Sequence, residues 1–208
     1  MLKITRLFQS NAKCTCCSNH KLTFIFIALP MPYIEHTKNW ISKVVIGYNF
    51  CPFAARAFNH DRVHYAVITS TAVTDILAQL LAACKQLDEQ ENIETTLLIL
   101  PEGFADFYEY LDLVDAANTV LEEADYEGVY QLASFHPNYL FEGSNEMDAA
   151  NYTNRSPYPM LHLLRESSIE GALAHYAGDP EAIPERNIEF AQEKGLLHMQ
   201  ALRLACMK

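Results

Sequence analysis

The sequence predicts an α/β fold: a single compact domain with a small, mostly parallel sheet of about three to four strands, flanked by helices and followed by a helical C-terminal part. Three observations predict it. Segments with helical spacing alternate with short β-rich runs, the pattern of a layered α/β structure. One of those runs, Thr95-Thr-Leu-Leu-Ile-Leu-Pro101, is apolar without interruption, as expected of a strand covered on both faces. A chain of 208 residues, half of them apolar, also suffices for one domain with a sizeable core.

Residues 1–30 read differently from the rest. They carry Lys3, Arg6, Lys13 and Lys21 and no acidic residue. The apolar run Leu22–Leu29 follows this basic stretch as in a signal peptide, but no Ala-x-Ala cleavage site comes after it. The expectation is an upstream extension or a disordered or targeting segment, with Met31-Pro32 opening a domain over 31–208. Cys14-x-Cys16-Cys17-x-x-His20 holds metal-ligand residue types at a spacing that matches no standard zinc module.

From Tyr33 the apolar positions Ile34, Trp40, Ile41, Val44, Val45 and Tyr48 recur at helical spacing, and Gly47 is a candidate end. Pro52 suits the first position of a second helix, which would make Cys51 its N-cap. A strand is expected over Val63–Thr69, then an amphipathic helix over Ala72–Gln90, with Cys84 on its buried side. After the apolar strand come a long helix over Phe104–Ala124 and a third strand over Val129–Phe135. Two strand–helix–strand crossovers make these strands parallel. An antiparallel edge or Tyr139–Phe141 would complete the sheet. Pro157 and Pro159 precede Met160-Leu-His-Leu-Leu164, which reads as the apolar stripe of a short helix, with His162 and Arg165 one turn apart. A capped helix from Ser167 or Ser168 to Tyr176 and a last helix over Pro184–Arg203 follow.

A net charge of −11 argues against a general nucleic-acid or anionic-membrane partner, leaving a small-molecule substrate or ligand as the expected partner. No stretch reaches the ~18 apolar residues of a membrane helix. Six scattered cysteines without a Cys-x-x-Cys pair point to a reducing, cytoplasmic setting. Without a Gly-rich phosphate loop or dinucleotide fingerprint, no cofactor is assigned.

Four stretches carry the chemistry: Trp40 with Val44-Val-Ile-Gly-Tyr-Asn-Phe-Cys-Pro-Phe-Ala54; Glu94–Pro101; Ala133-Ser-Phe-His-Pro-Asn-Tyr-Leu-Phe141; and Asn151-Tyr-Thr-Asn-Arg-Ser-Pro-Tyr-Pro-Met-Leu-His-Leu-Leu-Arg-Glu166. Together they resemble the bacterial and plastid family known as domain of unknown function 1415, over about residues 33–178. Members often have Leu where this chain has Tyr48. The resemblance groups these residues and implies no reaction.

The residues point first to a small cytosolic enzyme with a Cys/His/Arg site, and leave other readings open beside it. Cys51 at a helix N-terminus would be a nucleophile, with His136 or His162 as base. His136 directly follows the third strand, where open α/β sheets bind ligands. Asn49, Asn151, Asn154, Arg155 and Arg165 would hold an anionic or amide-bearing substrate, Arg through its planar donor fork. Alternatively, His136, His162 and Asp148 are metal ligands. A non-catalytic binding module, in which the arginines grip an anion, is a further reading. In the last, the polar loop only buttresses the fold.

Overall fold

Pro32 opens the first element described by the structure, a computed structural model, and the description covers residues 32–208. The expected upstream segment, residues 1–30, with its Cys14–His20 cluster, lies outside the described residues.

Helix α1 (Pro32–Trp40) runs into a wide π-helical turn, Ile41–Ile46. Gly47 closes it because a Cβ there would lie 2.4 Å from the Lys43 carbonyl oxygen. After a turn at Pro52-Phe53 comes the short α2 (Ala54–Asn59), then β1 (Val63–Val67), α3 (Val73–Glu89), β2 (Thr95–Ile99) and α4 (Phe107–Glu123). The Asp106 carboxylate caps α4 by accepting from the Tyr108 and Glu109 N–H groups. Strand β3 (Tyr130–Phe135) is followed by a long connection with one 3-10 turn, Ala149–Thr153. Then come β4 (Met160–Arg165) and three helices, α5 (Glu166–Ala174), α6 (Ala182–Lys194) and α7 (Leu196–Ala205).

The sheet order is β1-β2-β4-β3. β1 and β2 are parallel, while β4 pairs antiparallel with both β2 and β3. The three strands expected from the crossovers do run in one direction, but the sheet is mixed rather than mostly parallel. The difference lies in Met160–Arg165. This expected helix is a strand, buried between two neighbours and bonded to both. Six residues of apolar sequence are compatible with either state, and long-range pairing selects the strand. Tyr139–Phe141 adds no strand. The expected terminal helix over Pro184–Arg203 is two helices, divided at Gly195, whose φ of 80° breaks the spiral.

Alternation along the strands sorts the core into two layers. One sheet face meets α3 and α4 through Leu98, Leu161 and Leu163, packed with Ile76, Leu80, Tyr110 and Leu113. The other meets α1, α6 and α7 through Leu97, Ile99, Met160 and Phe135, packed with Trp40, Ala191 and Met199. The Tyr110 hydroxyl ties strand ends together, donating to the Met160 carbonyl at 2.7 Å and accepting from the Phe135 N–H at 3.1 Å.

Candidate functional site

A cavity of about 630 Å³ opens on the second face, at the end of the sheet where β4 finishes and β2 begins. Its walls are Trp40, Ile41 and Val45 from the first helical segment, Cys51 to Ala57 around α2, and Ser167 to His175 on α5. Thr95, Leu97, Ala133, Phe135, His162 and Leu164 form the strand floor. The strand period accounts for that floor: His162 and Leu164 point to this face, while Leu161 and Leu163 enter the opposite core.

His162 is anchored to its neighbour strand. The Thr95 hydroxyl oxygen lies 2.7 Å from the Leu163 carbonyl and 2.6 Å from His162 Nε2, so it engages one ring nitrogen. The other, Nδ1, has no hydrogen-bond partner among the described residues. Burial pushes the imidazole down to about 4, so the ring is neutral at physiological pH.

Cys51 also lines the cavity and is half-buried. The residues beside it are clamped by α6: the Asn187 side chain donates to the Phe50 carbonyl at 2.7 Å, and Arg186 donates to the Asn49 carbonyl. Helix α2 begins at Ala54 with Phe53 as its cap, so Cys51 precedes the helix rather than capping it. Pro52 sits in the preceding turn because the chain must still bend after Cys51. Burial raises the Cys51 thiol above its ordinary value, and the Phe53 and Ala54 N–H groups offset only part of that. The resting pair is a thiol and a neutral imidazole.

The remaining candidates from the sequence lie elsewhere. His136 is fully buried between Phe107 and Tyr110. Its Nε2 donates to the Phe104 carbonyl at 2.8 Å and its Nδ1 accepts from the Asn138 N–H at 3.0 Å. Asn151, also fully buried, accepts from the Phe141 N–H and donates to the Asn145 carbonyl. Asn154 accepts from the Thr153 hydroxyl. Arg155 donates to the Tyr139 and Glu146 carbonyls and lies over the Tyr152 ring. Asn49 is an exposed left-handed turn residue with φ 55°. Asp148 caps the Ala150 N–H and accepts from Gln192. Arg165 borders the cavity, but its guanidinium donates to the Leu87 carbonyl and the Tyr130 hydroxyl. As β4 is a strand, His162 and Arg165 fall on opposite faces instead of one turn apart.

No three His, Cys, Asp or Glu side chains among the described residues are grouped to hold a metal ion. His136, His162 and Asp148 belong to separate hydrogen-bond systems. The cavity adds Arg56, Glu94, Ser167, Ser168 and His175, which sequence reasoning did not assign to a site. Arg56 lies two residues beyond the Val44–Ala54 stretch, and only the folded geometry reveals what its side chain borders.

A family model described as "Protein of unknown function (DUF1415)" matches residues 32–201. No curated protein and no solved structure matches the chain.

Proposed function

The chain belongs to the DUF1415 family, whose description names no reaction, and from its cavity we propose that it is a small-molecule-binding protein. One observation carries this reading: a mostly apolar, half-enclosed space of about 630 Å³ that contains an unpartnered polar atom, His162 Nδ1. Small-molecule sites are concave and largely apolar, with a few placed polar groups. His162 Nδ1 supplies one free hydrogen-bonding position on the floor, which a polar group of the ligand can use. The absence of a membrane-length apolar helix among the described residues fits a ligand reached from water.

Cys51 in the wall of the same cavity favours a second reading, a thiol enzyme. The sulfur would attack an electrophilic carbon of the ligand while its proton passes to His162 Nδ1. A thiol raised by burial and an imidazole lowered to about 4 oppose that transfer, which ranks binding first.

The chain has one tryptophan, Trp40, and it lines the cavity. Titration with phenylnaphthylamine, a neutral apolar fluorophore, should therefore quench Trp40 saturably, and Ala172→Phe, which fills the cavity from α5, should abolish the effect. Unsaturable quenching, or quenching unchanged by Ala172→Phe, rejects the binding site. Cys51→Ser separates the two readings. Binding persists under both, but turnover or covalent labelling that is lost with the thiol would favour the enzyme.

A further inference from the structure

We propose that the ligand of this cavity is an amphipathic acid, with an apolar body against the sheet floor and a single monoanionic head group at the mouth beside Arg56. The inference rests on the small-molecule reading and specifies its ligand class. It begins with a local charge that runs against the whole. The protein carries −11, yet the charged side chains lining the cavity are Arg56, Arg165 and Glu94. Glu94 is neutralised by Arg62 at 2.5 Å, outside the lining. The Arg165 guanidinium is spent on Leu87 and Tyr130. Arg56 is exposed and, among the described residues, makes no side-chain hydrogen bond or ion pair.

The same cavity is lined by further donors, although the first N–H of α5, Glu166, already donates to the Val129 carbonyl. Helix α5 starts at the cavity wall without a side-chain cap. The Ser167 and Ser168 hydroxyls line the cavity and have no partner among the described residues. Uncapped N–H groups and the positive end of the helix dipole add to what Arg56 offers a carboxylate. Glu166, in the same first turn, does not compete for this space. It borders a separate depression with Glu122 and Glu127.

The floor excludes the alternative placement. His162 is neutral and lies beside Phe135 and Leu164, so an anion there would lose its hydration without gaining a cation. The anion belongs at the mouth and the apolar body at the floor. One free guanidinium matches one negative charge. A dianionic phosphate would leave its second charge without a free cation among the described lining residues.

The test compares two probes with the same aromatic skeleton on the full chain, neutral phenylnaphthylamine and the monoanion anilinonaphthalene sulfonate, both read by Trp40 quenching. Arg56→Gln should weaken the sulfonate about fivefold, the scale of a partly exposed ion pair, and leave the neutral probe unchanged. Added salt should weaken only the sulfonate, and decanoate should displace it better than decanol does. Equal effects of Arg56→Gln on both probes, or on neither, would overturn the acid assignment while leaving the cavity intact. Failure of both probes to bind the unaltered protein would overturn the small-molecule reading as well.

Discussion

Two polar regions of this protein invite a functional reading, and they differ in whether their hydrogen bonds are already used. The connection from His136 to Tyr158 is rich in Asn, but its His136, Asn151 and Arg155 side chains end on backbone. His136 bridges Phe104 and Asn138, Asn151 bridges Phe141 and Asn145, and Arg155 reaches Tyr139 and Glu146. The cavity under α5 is sparser, yet His162 Nδ1, Arg56 and two serine hydroxyls have no protein partner among the described residues. A loop without regular secondary structure must satisfy its own buried amides and carbonyls, and polar side chains do that work. The comparison teaches that polar density marks a site only after the fold's own demands are subtracted.

The largest expected effect tests the loop side of that comparison. Asn151→Ala should cost about 2–4 kcal/mol in urea unfolding, because it leaves the buried Phe141 N–H and Asn145 carbonyl unpaired. Phenylnaphthylamine affinity per folded molecule should not change. Unaltered stability with lost binding would reverse the roles assigned to the two regions.

Next in size is the pH dependence of stability, which places the two histidines on one scale. Burial lowers both His136 and His162 below the ordinary 6.5, the latter to about 4. The unfolded chain takes up these protons first. Stability is therefore complete above about pH 6.5 and is lost as pH falls toward 4, with His162 contributing on the order of 2 kcal/mol. Urea midpoints at neutral and mildly acidic pH should show this decline, and His162→Gln should flatten it. A decline of unchanged depth in that variant would mean His162 is not held neutral by the fold.

Cys51 sharpens the cavity side with a smaller effect. Its thiol is raised, so iodoacetamide should label it slowly at pH 8 and faster only in more alkaline solution, and a bound probe should protect it. Cys51→Ser should shift stability by about 0.5 kcal/mol or less, since the serine hydroxyl can take over the weak contacts with the Phe53 and Ala54 N–H groups. Rapid labelling below pH 8 would restore the activated-nucleophile reading.

The last effect, of opposite sign, concerns a polar group that is neither spent nor available. The Thr96 hydroxyl is buried without a partner, opposite His64, whose Nδ1 is also unpartnered. Replacement by the isosteric Val removes an unsatisfied group, so Thr96→Val should be neutral or stabilising by about 1 kcal/mol. A measurable loss of stability would reveal a hydrogen bond that the geometry does not show.

Much of the fold was legible in local pattern. β1, α3, β2, α4 and β3 fall close to their expected bounds because each carries either a full helical stripe or a β-rich run between turn residues. The site was legible only in part. Cys51 and His162 were named from residue type and neighbourhood, and both line the cavity. His136 and the Asn/Arg loop were named for the same reasons and are hydrogen-bonded to the backbone outside it. Arg56 carried no signal, since an exposed arginine on a short helix reads as solvent-facing until another element is placed across from it.

The sequence by itself determined the α/β layering, the positions of the long helices and the direction shared by β1, β2 and β3, all of which follow from periodicity within a few turns of chain. Tertiary structure alone decided that Met160–Arg165 is a strand, that it enters between β2 and β3, and that His162 therefore faces away from Arg165 and toward Cys51's cavity. The physical reason is the range of the forces involved. Helical periodicity is satisfied within a segment, whereas a six-residue apolar run gains its hydrogen bonds from strands more than twenty residues away, and only that pairing fixes which face each side chain takes.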